Sequence, residues 1–200
     1  QVSRVPPKAR LAKGGKSQGR FVGGHPTPDM VGPFPNKSTR VIFTFSDGSK
    51  LFFNDQRRFG WVKLVTSTEV TSNKLFKSLG PEPLEKEFTW EALKKNLLRH
   101  KSMPIKVALL DQSVVSGIGN IYANETCFAA GINPATRVSD LSNLRFKRLH
   151  SGIIKSLREG IKHGGSSRAH FVDAEGHKGY FLDYAKVYWR DKHPINPIFQ

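Results

Sequence analysis

The chain has little of what secreted and membrane proteins depend on. It holds one cysteine in 200 residues, Cys127, so no disulfide can form within it, which suits a reducing compartment. No apolar run approaches the length of a membrane span. The opening QVSRVPPKARLAKGGKSQGR lacks the apolar centre of a secretory signal, and a cytoplasmic or nucleoid location is the expectation. The histidines are scattered without a ligand pair, and a lone cysteine cannot build a four-ligand zinc site. Acidic residues are scarce as well: 16 Asp plus Glu stand against 32 Lys plus Arg, for a net charge of +16.

A cationic surplus of that size points to a polyanionic partner, foremost nucleic acid; a charge that only keeps the protein soluble and an anionic membrane are the alternatives. The basic residues run along the whole chain, interleaved with apolar positions, as on a folded basic surface. Cys127 falls among Tyr122, Phe128, Ala129 and Ala130, where a thiol serves as a small buried hydrophobe. The length allows one domain or two small ones.

The hydrophobic period changes near residue 80. Before it, VIFTFSDGSKLFFND (41–55) alternates around Ser46-Asp47-Gly48-Ser49 and predicts a β-hairpin, with WVKLV (61–65) as a third strand. After it, Thr89 caps a helix through WEALKKNLLRH, with Glu91 in its first turn. PIKVALLDQSVV predicts a short buried helix on Ile105, Val107, Ala108, Leu109 and Leu110, with Lys106 pointing outward. A glycine-led helix follows over 117–130. Ser142 caps a long helix whose stripe, Phe146, Leu149, His150, Ile153, Ile154, Leu157 and Ile161, runs until Gly164-Gly165. Its other face carries Arg145, Lys147, Arg148, Lys155, Arg158 and Lys162, for which simple solvation is the ordinary reading. SSRAHFVDAEGHKGYF reads as a loop returning to a short strand at YFLDYAKVYW.

SGIGNIYANET (116–126) opens a helix on two glycines and an asparagine. A helix N-terminus leaves backbone N–H groups without partners and carries a positive dipole end. A side chain at Gly117 or Gly119 would hold a phosphate away from them. The stretch reads as a phosphate seat, with a plain turn as its alternative. A dinucleotide fingerprint does not fit, because the third glycine is missing.

PIKVALLDQSVVSGIGNIYANETCFAAGINP, followed by the serine-capped helix and GGSS, resembles the helix-two-turns-helix module of bacterial formamidopyrimidine-DNA glycosylases and their endonuclease VIII relatives. FNDQRRFGWVKLV, LGPEPL (79–84) and GYFLDYAKVYWR (179–190) resemble further segments of that family in the same order, over about residues 19–190. LGPEPL and the GGSS loop favour the formamidopyrimidine branch. The resemblance implies an α+β protein in three parts. These are a partial N-terminal β-sandwich (1–82), a helix-two-turns-helix DNA-binding domain (83–168), and a lesion-loop and tail segment (169–200). It also implies base-excision repair of oxidised purines such as 8-oxoguanine and formamidopyrimidines, with glycosylase and AP-lyase steps. The implied partner is double-stranded DNA with oxidised bases or abasic sites, bound by a monomer without a membrane.

Carried over residue by residue, Asn120 matches the asparagine that holds a phosphate beside the lesion, and Gly119 belongs to its turn. Lys106 matches a lysine of the DNA-binding face. Arg57 matches the arginine that fills the vacated space and reads the opposite cytosine, and Phe59 the wedge that buckles the stack. An arginine can satisfy a widowed cytosine edge and a ring can replace lost stacking when a base is flipped out. Gly164, Gly165, Ser166, Ser167 and Tyr180 belong to the loop that closes over that base. The bland alternatives are a core Phe59, a solvated Arg57 and a merely capping Asn120.

The sequence departs from the family at both ends. The family's nucleophile is an N-terminal proline amine followed by glutamate, whereas this chain starts QVSRVPPK. Lys8 in VPPKARL is the candidate for the family's hairpin lysine, and Ser17 aligns where a void-filling methionine belongs. The family's four-cysteine zinc finger has no counterpart in VYWRDKHPINPIFQ, where Ile195 falls at the first cysteine, so no cofactor is expected. Binding of damaged DNA without excision by this chain is therefore one expectation. The alternatives are a non-catalytic duplex-DNA-binding protein and a basic RNA-binding protein.

Overall fold

The structure, a computed structural model, describes residues 33–166 and 177–188. Its contacts divide the chain into two units, residues 1–64 with 164–180 and residues 65–163 with 181–200.

In the first unit, β1 (Thr39–Thr44) and β2 (Lys50–Asn54) pair antiparallel, with Val41 opposite Phe53 and Phe43 opposite Leu51. The turn closes as its composition requires. Gly48 takes φ 82°, and the Asp47 carboxylate accepts the Ser49 N–H at 2.9 Å and its hydroxyl at 2.6 Å. Phe53 is buried, and Phe34 stacks on Phe52 at 5.0 Å. WVKLV is not a strand: residues 61–65 carry no ladder, and Trp61 and Leu64 are 62% and 98% exposed. A β-prone run becomes a strand only when a neighbour takes up its N–H and C=O groups, and none among the described residues does so.

The second unit is helical. It contains α1 (Ser67–Ser72), α2 (Lys74–Lys77), α3 (Trp90–Leu97), α4 (Ile105–Leu109), α5 (Asn120–Ala130), α6 (Asn143–Lys162) and α7 (Phe181–Tyr184). A capping box between Thr66 and Glu69 starts α1, the Thr89 hydroxyl accepts the Ala92 N–H to start α3, and the Ser142 hydroxyl accepts the Arg145 N–H to start α6. A 3-10 turn, Leu98–His100, continues α3. Gly131 ends α5 in the left-handed region at φ 65°, and the Ile132 N–H reaches back to the Cys127 carbonyl at 3.0 Å. The core gathers Leu93, Leu97, Ile105, Leu109, Ile118, Cys127, Phe146, Leu149 and Ile153, all essentially inaccessible. His150 belongs to this stripe through a polar bond, its Nε2–H donating to the Phe88 carbonyl at 2.7 Å.

Helices α5 and α6 run antiparallel and close, because α6 offers Gly152, Ser156 and Gly160 at four-residue steps. A Cβ on Gly152 would meet the Thr126 carbonyl at 3.0 Å, and one on Gly160 would strike the Tyr122 ring. Buried Glu125, in the middle of α5, accepts the N–H groups of Lys186, Val187 and Tyr188 at 2.7, 3.0 and 2.9 Å. Both carboxylate oxygens are satisfied by one turn of backbone.

Several expectations need correction. Only Ile105, Ala108 and Leu109 of α4 are buried, while Val107 and Leu110 are exposed. A helix this short has one inner face, and the buried three are those at i, i+3 and i+4. Ile161 is 65% exposed, because Gly160 already lies opposite Tyr122 in the first turn of α5 and little of α5 is left to cover it. YFLDYAKVYW forms a helical turn, α7, in place of a strand; Phe181 and Ala185 are buried four residues apart, which is helical spacing.

Candidate nucleic-acid interface

In the first unit, Asp55 organises the loop after β2. Its carboxylate accepts the N–H groups of Arg57 at 2.9 Å, Arg58 at 3.0 Å and Gly60. These bonds, Gly60's foremost, hold its carboxyl below the usual range. Arg58 takes φ 59°, and Gly60 sits so close to the Phe53 ring that a Cβ there would fall 2.5 Å from it. So pinned, the loop turns its side chains outward. Phe59 is 76% exposed, with the Arg57 guanidinium 5.0 Å above its ring. That exposure disposes of the core reading of Phe59.

The same unit brings the ends of the glycine loop together. Gly164 and Gly165 adopt φ 70° and 85°, Gly179 packs against their carbonyls with no room for a side chain, and Ser166 bridges to Tyr180. Tyr180 is exposed. Ser167 lies outside the described residues, as do Lys8, Ser17 and Ile195.

In the second unit, the turn between α4 and α5 is braced from three sides. Gln112 spans it, donating from Nε2 to the Leu110 and Ile118 carbonyls at 3.2 and 2.9 Å and accepting the Gly117 N–H at 2.8 Å. Asp111 accepts the Ser113 N–H at 2.8 Å and lies 3.2 Å from His100. The Ser113 contacts, with His100 and Arg99 nearby, hold its carboxyl below the ordinary range. LGPEPL docks behind: Gly80 donates to the Gln112 carbonyl at 2.7 Å and Ser116 donates to the Pro81 carbonyl at 3.2 Å. Sequence reasoning passed over Gln112, because a glutamine in a turn carries no pattern of its own.

So braced, the turn leaves the start of α5 open. Gly117 needs its glycine for φ 76°. Gly119 does not: it is extended at φ −105° and a Cβ there would meet nothing within 4 Å. What a side chain would occupy is open space in front of the first-turn N–H groups, which find no acceptor among the described residues. The N-cap is Gly119, and Asn120 is the first helical residue, exposed. Asn120 is therefore not spent on capping.

Lys106 lies on α4, whose start is stitched to the loop leaving α5, with the Ile105 N–H on the Thr136 carbonyl at 2.8 Å and the Lys106 N–H on that of Pro134 at 3.2 Å. Its charge is felt at Cys127, about two turns along α5 from Asn120. Burial nevertheless pushes the Cys127 thiol up to about 12, which makes it inert as nucleophile or metal ligand near neutral pH. No group of three His, Cys, Asp or Glu side chains among the described residues could hold a metal. No helix among the described residues is long and apolar enough to cross a membrane.

Comparison with known proteins places this geometry. Residues 79–171 match the model of the formamidopyrimidine-DNA glycosylase H2TH domain. Formamidopyrimidine-DNA glycosylase of Desulforamulus reducens is 43% identical over 158 residues, 79% of this chain and 57% of that protein. That of Ruegeria pomeroyi is 37% identical over 185 residues, 92% of this chain and 62% of its own length. Among solved structures, the MutM (Fpg) protein from Thermus thermophilus superposes with a TM-score of 0.72 at 30% identity, covering 83% of this chain and 62% of that one. The Lactococcus lactis Fpg in complex with an abasic site containing DNA gives 0.66 at 33%, covering 80% and 57%. The chain thus spans about three fifths of the length of the relatives it matches.

Proposed function

We propose that this chain, which belongs to the formamidopyrimidine-DNA glycosylase family over the stretch it shares with its relatives, carries the DNA-gripping part of a base-excision-repair enzyme for oxidised purines. Its partner in this reading is double-stranded DNA holding an 8-oxoguanine, a formamidopyrimidine or an abasic site. The observation that carries the reading is the start of α5: an exposed Asn120 and free N–H groups behind a side-chain-less Gly119, on a turn fixed by Gln112. A phosphate fits there, held by the dipole end and the amide. Relatives bound to abasic-site DNA and to DNA with a carbocyclic 8-oxo-G support this choice of partner.

Lys106 adds positive charge to the same unit. Arg57 and Phe59 are the groups that enter the duplex, the ring filling the stack and the guanidinium meeting the unpaired base. Gly164, Gly165, Ser166 and Tyr180 frame the loop that covers the extruded base. None of these residues supplies a nucleophile. The base-excision step is assigned to the family's N-terminal amine chemistry, and the described residues take only the binding, positioning and stack-filling roles. The three-part division at 82 and 168, action as a monomer and a location on the bacterial nucleoid belong to the same reading.

The test is duplex binding by fluorescence anisotropy, with 8-oxoguanine opposite cytosine, an abasic site, or neither. Asn120→Ala should weaken all three by about tenfold, roughly 1.4 kcal/mol, whereas Arg57→Ala should chiefly erase the preference for damaged over undamaged duplex. Unchanged affinity of Asn120→Ala would refute the phosphate seat. Borohydride trapping on the same duplexes reports separately whether an amine of this chain performs excision.

A further inference from the structure

From the arrangement of charge on α6 we infer that its outward face is a second nucleic-acid surface, gripping the phosphate backbone of double-stranded DNA away from the turn that opens α5. The inference rests on the function proposed above only for the identity of the polyanion.

Helix α6 carries six cations, Arg145, Lys147, Arg148, Lys155, Arg158 and Lys162, and one carboxylate, Glu159. At 100° per residue, Lys147, Arg148, Lys155, Arg158 and Lys162 fall within one arc of about 100°, with Ser151 in its middle. All five are exposed. None forms an ion pair among the described residues, and Glu159 faces His163 at 3.4 Å.

A face kept only for solvation mixes signs, because Glu–Lys pairs at three or four residues support a helix while like charges at those steps weaken it. Here Lys155, Arg158 and Lys162 follow one another at such steps, and the one carboxylate within reach of them, Glu159, faces His163 instead. A bound polyanion would turn that mutual repulsion into attraction. The dimensions agree: from Lys147 to Lys162 the helix rises about 22 Å, which along a duplex axis faces roughly six phosphates of one strand.

The stripe also has relief. Lys147, Arg148, Ser151 and Lys155 surround a shallow depression floored by Ala129 and Gly152. The floor is low because α5 passes close over Gly152, with Ala129 Cβ 3.6 Å from where a Gly152 Cβ would stand. Lys147 is steadied by the Trp90 ring, 4.9 Å below its ammonium. A phosphate oxygen entering here meets three cations and a hydroxyl. Ala129 stands nine residues along α5 from Asn120, about 14 Å away, so one phosphate cannot occupy both places.

The experiment is the salt dependence of binding to a long undamaged duplex. The variant is Lys147→Gln/Lys155→Gln/Lys162→Gln, and the control, Lys74→Gln/Lys77→Gln/Lys86→Gln, removes equal charge from exposed positions elsewhere in the helical unit. Each phosphate contact contributes about 0.9 to the slope of log K against log salt. The stripe variant should lose between about 2 and 3 units of slope and at least tenfold in affinity at low salt, and the control little. Lys147→Arg/Lys155→Arg/Lys162→Arg should keep the wild-type slope, which excludes misfolding as the cause.

An unchanged slope, or an equal loss in the control, would overturn the proposal. So would structured RNA binding that depends on the stripe more strongly than duplex DNA binding does. Failure of the phosphate seat would appear instead as unaltered lesion-duplex affinity in Asn120→Ala, with the stripe effect intact.

Discussion

Asp55 shapes the loop that presents Arg57 and Phe59 with nothing but backbone amides. Its carboxyl is held below the ordinary 3.8 by the N–H groups it accepts. Because the folded value is depressed, its contribution is fully present above the unfolded value and is lost as pH falls through the folded one. The amide resonances of Arg57, Arg58 and Gly60 should therefore titrate together by NMR with a midpoint below 3.8. Asp55→Asn should abolish that common titration. A midpoint at or above the ordinary value would mean that the carboxylate does not hold the loop. The residues that were legible here carry familiar chemistry, an arginine and an aromatic in a recognisable order. Asp55 and Gln112 were not legible, because each acts on backbone groups whose position exists only after folding. Asn120 lies between: its place at a helix start could be read, but that Gly119 and not Asn120 caps the helix could not.

At the scale of elements, the helices announced themselves through local features. Thr89 and Ser142 cap where their side chains suggest, because a cap needs only the next three residues. The third strand and the strand at YFLDYAKVYW failed because strands depend on partners distant in sequence. The close approaches were equally hidden, since a glycine spaced four residues from a serine looks unremarkable until a second helix lies on it. Gly80 is such a case against backbone in the helical unit: a Cβ would stand 2.7 Å from the Val114 carbonyl carbon and the Val115 nitrogen. Backbone cannot swing aside, so Gly80→Ala should cost on the order of 2 kcal/mol, as overpacking does. Gly152→Ala, which meets one carbonyl at 3.0 Å and gains up to about 1 kcal/mol in helix propensity, should cost less. Chemical denaturation of the two variants gives the order directly; the reverse order would show that the docking of LGPEPL onto the turn is looser than its geometry suggests.

For the whole molecule, charge was the most legible property and the one with two opposed effects. A net charge of +16 attracts polyanions and also drives the folded chain apart. Raising salt from about 10 mM to 150 mM shortens the screening length from about 30 to 8 Å. The melting temperature should therefore rise over that range while affinity for duplex falls. A melting temperature that fell with salt would mean that attractive pairs outweigh the repulsion, which the sparse ion pairing among the described residues argues against. The change of hydrophobic period at residue 80 marked where helices dominate, but contacts begin the helical unit at Val65. The short helices α1 and α2 precede the change and are too brief to show a period.

Glu125 gives three residues outside any helix or strand the hydrogen-bonding security of a helix interior. In deuterium the amides of Lys186, Val187 and Tyr188 can exchange only when a buried carboxylate lets go. Their protection is thereby tied to the integrity of α5, the helix whose first turn presents Asn120.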